Sequence, residues 1–290
     1  VSWKPNIISL VFLFLFSVLW YHAIRPLING NAVILVALGI VGVLLAVRVG
    51  ADEVAGVLLA LTTIKPQVVV ILVIFVAIWA LVNRRWRLLA WFLGAQVLLI
   101  AAGLFLLPDW ILQNIREVVR YPGYNPPGTP GSALAVWFPA QGERLGWVIT
   151  GMVAILLLIE WVRARKADFR GFFWTACFTL VLSQWSGIQT DPGNFIVLYM
   201  AVVLIIALMD ERWRKGGWIA GIVLMALLVG GLWWLFLSTV TYADQPIQSP
   251  ILFFPLPAML IVLLYWVRWW AFHPIQTWFD LMYDKDNPIT

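Results

Sequence analysis

Lys65 and Pro66 interrupt an apolar run that otherwise extends over residues 54–82. At the centre of a membrane helix a lysine costs about 2.5–3.5 kcal/mol on insertion scales, so it is expected to face a watery cavity or an anionic partner. Pro66 removes a backbone donor and biases Lys65 away from helical geometry. Backbone groups freed at membrane depth persist only where protein or a water-filled cavity satisfies them. Lys65, Pro66 and Gln67 are therefore expected to form the edge of a functional cavity able to hold an anion. The alternative for Lys65 is a structural lysine that snorkels to an interface.

The remaining polar residues limit the chemistry. His22 and His273 are the two histidines, and no HExxH or Cys/His metal spacing occurs. The single Cys177 lies in an apolar segment, which rules out an internal disulfide or CxxC pair. Glycine-rich phosphate loops and a GxSxG elbow are missing, and a Ser-His-Asp triad is not expected. Neither a metal nor a cofactor is expected. What is left is carboxylates and cations. Among the carboxylates, Asp109 reads as a helix start, Glu117 as a solvated face, and Glu143 and Asp244 as solvated loop residues. Asp191, within Asp191-Pro192-Gly193-Asn194, reads first as a turn, with a place in the cavity as its second reading.

The elements that must position these groups are membrane helices. The chain is 63% hydrophobic and 11% charged, far below the roughly 25% charged content of a soluble domain. Segments long enough to cross a bilayer fall at 7–21, 31–47, 67–82, 88–107, 146–162, 172–186, 194–209, 217–237 and 251–270, making about nine spans. Residues 54–64 reach only about 16 Å at 1.5 Å per residue, roughly half of a hydrocarbon core about 30 Å thick. They are expected to form a half-helix rising to Lys65. The competing reading, one kinked span over 54–82, would extend about 43 Å and need a strong tilt.

With the half-helix, Arg25, Arg116, Arg120 and Arg144 of the 19 Lys and Arg lie on the outer side. Lys65 is in the membrane and the rest lie inside, as the positive-inside rule requires. The net charge of +5 is spent in short clusters between spans, so nucleic acid is not an expected partner. Residues 110–120 alternate an apolar and a polar face and should lie on the outer membrane surface. The Pro- and Gly-rich residues 121–131 should be irregular. No repeat or separate soluble domain occurs, and residues 1–290 are read as one all-α, polytopic transmembrane bundle.

One reaction class fits these limits: transfer of a sugar from a polyprenyl-phosphate carrier to an acceptor hydroxyl. It needs one carboxylate as general base and cations where the departing phosphate gains charge. Lys65, Arg116 and Arg120 are available for the phosphate, with Gln67 beside Lys65. Arg120 and Asp191 are expected near the acceptor, Asp191 being the weak candidate for a catalytic role. An anion transporter or lipid flippase is the alternative class, with a membrane scaffold behind it.

Residues 27–35, Arg48, the segment 55–67 ending in Lys65-Pro66-Gln67, and Arg84-Arg85-Trp86-Arg87 resemble glycosyltransferase family 87 over about residues 26–208. These bacterial integral membrane enzymes include polyprenyl-phosphate-mannose-dependent mannosyltransferases. The resemblance implies a C-type glycosyltransferase fold with an outward-facing site in the plasma membrane and a cytoplasmic C-terminus. It also implies a lipid-phosphate sugar donor, mannose among them, a lipid or glycan acceptor, and contact with membrane lipids. Where the family shows Gly-Gln-x-Asn this chain has Gly30-Asn31-Ala32-Val33, and where the family shows a late histidine it has Asn194. Asn31 and Asn194 are therefore expected to line the cavity. The family's catalytic Asp follows its first helix, but no carboxylate precedes Asp52 here and the chain opens on Val1. The expectation is the C-terminal portion of a longer enzyme, without its base and inactive alone.

Overall fold

The computed structural model describes residues 3–120, 128–213, 215–242 and 246–273. Helix occupies most of each of the nine expected apolar segments. Asn6 opens α1 (Ile7–Leu19) by accepting from the Ser9 amide at 2.8 Å. The chain then bends by 41° at Trp20 into α2 (Tyr21–Ile28). Gly50, at φ +76°, ends α3 (Val33–Val49) in the left-handed conformation that favours glycine at a helix C-terminus. It turns the chain into α4 (Asp52–Thr62), and Pro66 then starts α5 (Pro66–Val82) at the first helical position, where its missing N–H costs nothing.

α4 and α5 do not form one kinked rod. Arg85, just after α5, meets Asp52 at the start of α4 at 2.6 Å, and its Nη1 donates to the Val47 carbonyl at the end of α3. The chain therefore reverses at residues 63–65. The half-helix reading holds, and Lys65 is the tip of a hairpin.

α6 (Trp86–Leu106) runs parallel to α4. Gly56 sits so close that a Cβ there would lie 2.4 Å from the Leu88 carbonyl, and Gln96 farther along α6 donates to Thr63 at 2.6 Å. The surface helix expected at 110–120 is present as α7 (Trp110–Arg120), with no residue buried and the Trp110 indole over Gly103. Asp109 precedes it and accepts from the Gln113 amide through its backbone carbonyl. Of the segment expected to be irregular, residues 121–127 lie outside the described residues, and Pro130 already opens a short helix, α8 (Pro130–Ala135). A reciprocal cap between Thr129 and Ser132 starts that helix despite its Pro-Gly composition.

Two helices follow, α9 (Gly142–Ala164) and α10 (Phe169–Ser183). α10 is buried along almost its whole length and forms the centre of the bundle, against α5, α9, α11 (Tyr199–Trp213) and α13 (Pro255–Phe272). A 3-10 turn, Pro192–Leu198, leads into α11. α12 (Lys215–Thr239) packs on α11 and α1. It is joined to α13 through a two-residue antiparallel pair, β1 (Thr241–Tyr242) with β2 (Pro246–Ile247).

Five helical segments are long and apolar enough to span a membrane, or six if the bent α1–α2 pair counts as one. α3, α5 and α10 are shorter apolar helices. A helix such as α10, covered by neighbours on all sides, need not match the bilayer by itself.

Long-range contacts sort the connections into two ends of the bundle. Trp3 bonds Asp210 (2.6 Å), Asn83 bonds the Arg165 carbonyl (2.8 Å), and Arg170 pairs with Glu211 (2.7 Å) at one end. Tyr21 bonds Gln248 (2.9 Å), Lys65 bonds Asn194, and the Thr190 amide bonds the Gly128 carbonyl (2.9 Å) at the other. These are the groupings that the charge asymmetry assigned to opposite membrane faces. The expected outer carboxylate Asp244 and the tail beyond His273 lie outside the described residues.

Candidate functional site

Lys65 sits between two helices with a non-helical backbone (φ −126°, ψ 76°) and is half-buried. Its Nζ donates to Asn194 Oδ1 at 3.1 Å. Asn194 is buried, and its Nδ2 reaches Thr190 Oγ1 at 3.3 Å. Asp191 begins the 3-10 turn, where its carboxylate accepts from the Gly193 amide. It also lies close enough to interact electrostatically with the Lys65 ammonium. Three residues singled out on the sequence, Lys65, Asp191 and Asn194, are thus brought together. The Lys65 ammonium, held by a neutral amide instead of a carboxylate, keeps hydrogen-bonding capacity for an anion.

The other expected site residues divide. Gln67 is half-buried in the first turn of α5, next to Lys65. Asn31 is half-buried and uses its side-chain oxygen to accept from the Val33 amide at 3.0 Å, which supports the start of α3 after Gly30 (φ +60°). Arg116 and Arg120 are exposed on α7, with Arg120 3.8 Å from Glu117. That helix packs on α6, so the hairpin tip and the two arginines are carried by different elements.

His22 is a residue that sequence reasoning set aside. It is 0% exposed, packed among Trp20, Tyr21 and Phe195, and its Nδ1 lies 2.7 Å from the Pro192 carbonyl. A carbonyl accepts only, so Nδ1 carries the proton and donates. Nε2 is left without a partner. His22 therefore fixes the turn that presents Asp191 and Asn194 to Lys65. Its one sequence signal was a histidine just after a break in an apolar segment.

Glu160 was also not legible in advance. It is 1% exposed and accepts from Arg268 (2.8 Å), Arg163 (3.0 Å) and Tyr265 (3.3 Å), tying α9 to α13 at the opposite end from Lys65. Among the described residues no group of three His, Cys, Asp or Glu gathers closely enough to hold a metal ion.

Fold and site together define a membrane protein: an all-helical bundle with several apolar helices of spanning length and a lysine at the tip of a helical hairpin. Comparison with protein-family models, with curated proteins and with solved structures finds no match.

Proposed function

We propose that the protein is a membrane glycosyltransferase that moves a sugar, mannose in the first instance, from a polyprenyl-phosphate donor to a lipid or glycan acceptor on the outer face of a bacterial plasma membrane. The nine-span arrangement of the C-type fold and a cytoplasmic C-terminus belong to the same reading. The observation that carries it is the half-buried Lys65 ammonium at the hairpin tip, 3.1 Å from Asn194 and beside Asp191.

In the reaction the bond from the sugar anomeric carbon to the phosphate oxygen breaks and its electron pair leaves on the phosphate. A new bond forms from the acceptor oxygen to the same carbon, and the acceptor proton passes to a carboxylate. Lys65, with Gln67 beside it, neutralises the phosphate as charge develops there, which is where a preorganised cation lowers the barrier most. Asp191, which interacts electrostatically with that cation, is the candidate for the acceptor side. Arg116 and Arg120, on the exposed face of α7, draw the lipid phosphate toward the membrane surface.

A second reading is an anion transporter or lipid flippase. The break at Trp20 supports it, because α2 carries His22 to the same turn that Lys65 reaches, and transporter sites form at such discontinuous helices. Membranes holding the full-length protein, incubated with labelled polyprenyl-phosphate mannose and a membrane-glycan extract, separate the two. Transfer of label that is lost in Lys65→Ala while insertion stays normal supports the transferase. Movement of label across the bilayer without transfer supports the flippase. Wild-type transfer by Lys65→Ala removes the site assignment.

A further inference from the structure

A second recess lies at the same end of the bundle as Lys65. It is an open cleft of about 170 Å³ lined by Thr129, Gly131, Glu143, Trp147, Thr150 and Gly187, none of them in the cluster described above. Its floor is made by an unusually close helix contact. A Cβ on Gly146 would fall 2.2 Å from Gly131 Cα, and one on Gly142 would fall 2.2 Å from the Ala135 amide. Gly142, Gly146 and Thr150 recur every fourth residue on one face of α9. Glycine there lets α8 lie directly on α9 and leaves Trp147 and Glu143 standing beside the contact.

The lining has a definite chemistry. Trp147 is 74% exposed, offering a broad apolar ring with a polar N–H edge. Among the described residues most carboxylates are paired or cap a helix, whereas Glu143 makes neither a hydrogen bond nor an ion pair. Thr129 and Thr150 add hydroxyls. The cleft has room for several waters and so for one small polar ring. A flat apolar face beside an unpaired acceptor and hydroxyls suits a molecule whose C–H groups lie on one side and whose O–H groups lie around its rim, which is a sugar ring.

The cleft is joined to the lysine cluster by one short segment. Gly187 (φ +82°) packs on Thr150, and the Thr190 amide bonds the Gly128 carbonyl next to Thr129. From Gly187 to Asp191 the chain spans at most about 14 Å. We infer that this cleft binds the terminal sugar ring of a carbohydrate acceptor, its ring on Trp147 and its hydroxyls on Glu143, with the reactive hydroxyl turned toward Asp191. The acceptor role rests on the transferase reading above; binding of a sugar does not.

The test is saturation-transfer NMR with methyl α-mannoside on the full chain in a sugar-free detergent, with glycerol as the control polyol. Saturation should reach the mannoside ring protons and not glycerol. It should fall at least fivefold in Trp147→Ala, persist in Trp147→Phe, and weaken at least threefold in Glu143→Gln. Gly94→Ala on α6, where an added Cβ meets nothing within 4 Å, should leave it unchanged. Matching thermal melting of the variants establishes that they are folded. Equal saturation in wild type and Trp147→Ala, or none in wild type, overturns the inference. Transfer by the full-length protein without mannoside binding removes the cleft alone, while mannoside binding without transfer by the full-length protein removes the transferase reading alone.

Discussion

Asp52 and Arg85 close the base of the α4–α5 hairpin, with Oδ1 and Nη2 2.6 Å apart and both side chains mostly shielded from solvent. The contact is an ion pair outside hydrogen-bonding geometry, since Asp52 Oδ1 counts no hydrogen-bond partner. Arg85 is held further by the Val47 carbonyl and by the Trp79 ring beneath it. This clasp keeps two helices of unequal length folded back on each other, so that Lys65 stands at their tip. Asp52→Ala should lower stability by about 1–3 kcal/mol, between the scale of an exposed and of a buried ion pair. Thermal melting in detergent reads the loss, and the exchanged pair Asp52→Arg with Arg85→Asp should regain part of it.

Gly56 separates steric need from chance. A Cβ there would meet the Leu88 carbonyl at 2.4 Å and the Phe92 amide at 2.8 Å, both backbone atoms that cannot step aside. Gly56→Ala should destabilise by about 1–3 kcal/mol, as overpacking does. Gly94 meets nothing within 4 Å, and Gly94→Ala should be neutral or stabilising by up to about 1 kcal/mol. The two melting temperatures should move in opposite directions or differ clearly in size.

Glu160 is the acceptor for three donors from two helices. Removing it strands Arg268, whose guanidinium also lies over Trp174 and Phe272. Glu160→Ala should cost about 3–5 kcal/mol, the range for a buried pair that loses one member. The double variant Glu160→Leu with Arg268→Met should recover much of this, because no unpaired charge is left. Melting of the single and double variants, compared in a mutant cycle, checks both statements.

His22 donates through Nδ1 to the Pro192 carbonyl. His22→Leu removes one of the bonds to a carbonyl that keeps its place in the 3-10 turn, at a cost of about 0.5–1.5 kcal/mol. His22→Asn can place its side-chain amide where Nδ1 was and should lose less. If both variants melt alike, the bond does not anchor the turn.

Asn194 holds Lys65 without neutralising it. Asn194→Asp would set a carboxylate 3.1 Å from the ammonium and compete with an incoming phosphate. On the transferase reading the donor KM should rise about tenfold, equivalent to about 1.4 kcal/mol, with little change in stability. An unchanged donor KM would place the phosphate elsewhere.

The helical segments, the break before Pro66, the surface helix at 110–120 and the sorting of basic residues between two ends were legible along the chain, because each depends on neighbours within a few turns or on local composition. So was Lys65, since a charge in an apolar run stands out by itself. Partnerships were not legible. Nothing in the order of residues says that Lys65 would meet Asn194, or that Glu160 would be sealed between Arg163, Arg268 and Tyr265. The expectation of irregular chain up to residue 131 missed α8, whose Thr129–Ser132 cap and seat on Gly146 outweigh its poor composition.

Chain composition and periodicity by themselves determined that this protein is a bundle of apolar helices with a broken segment at Lys65. The tertiary structure alone decided that the segment turns back as a hairpin, because an ion pair at its base and a glycine-scale contact with α6 form only when distant helices pack. It also decided what stands beside the lysine, since a hydrogen bond between residues 129 positions apart is set by the packing of whole helices, on which local pattern has no hold.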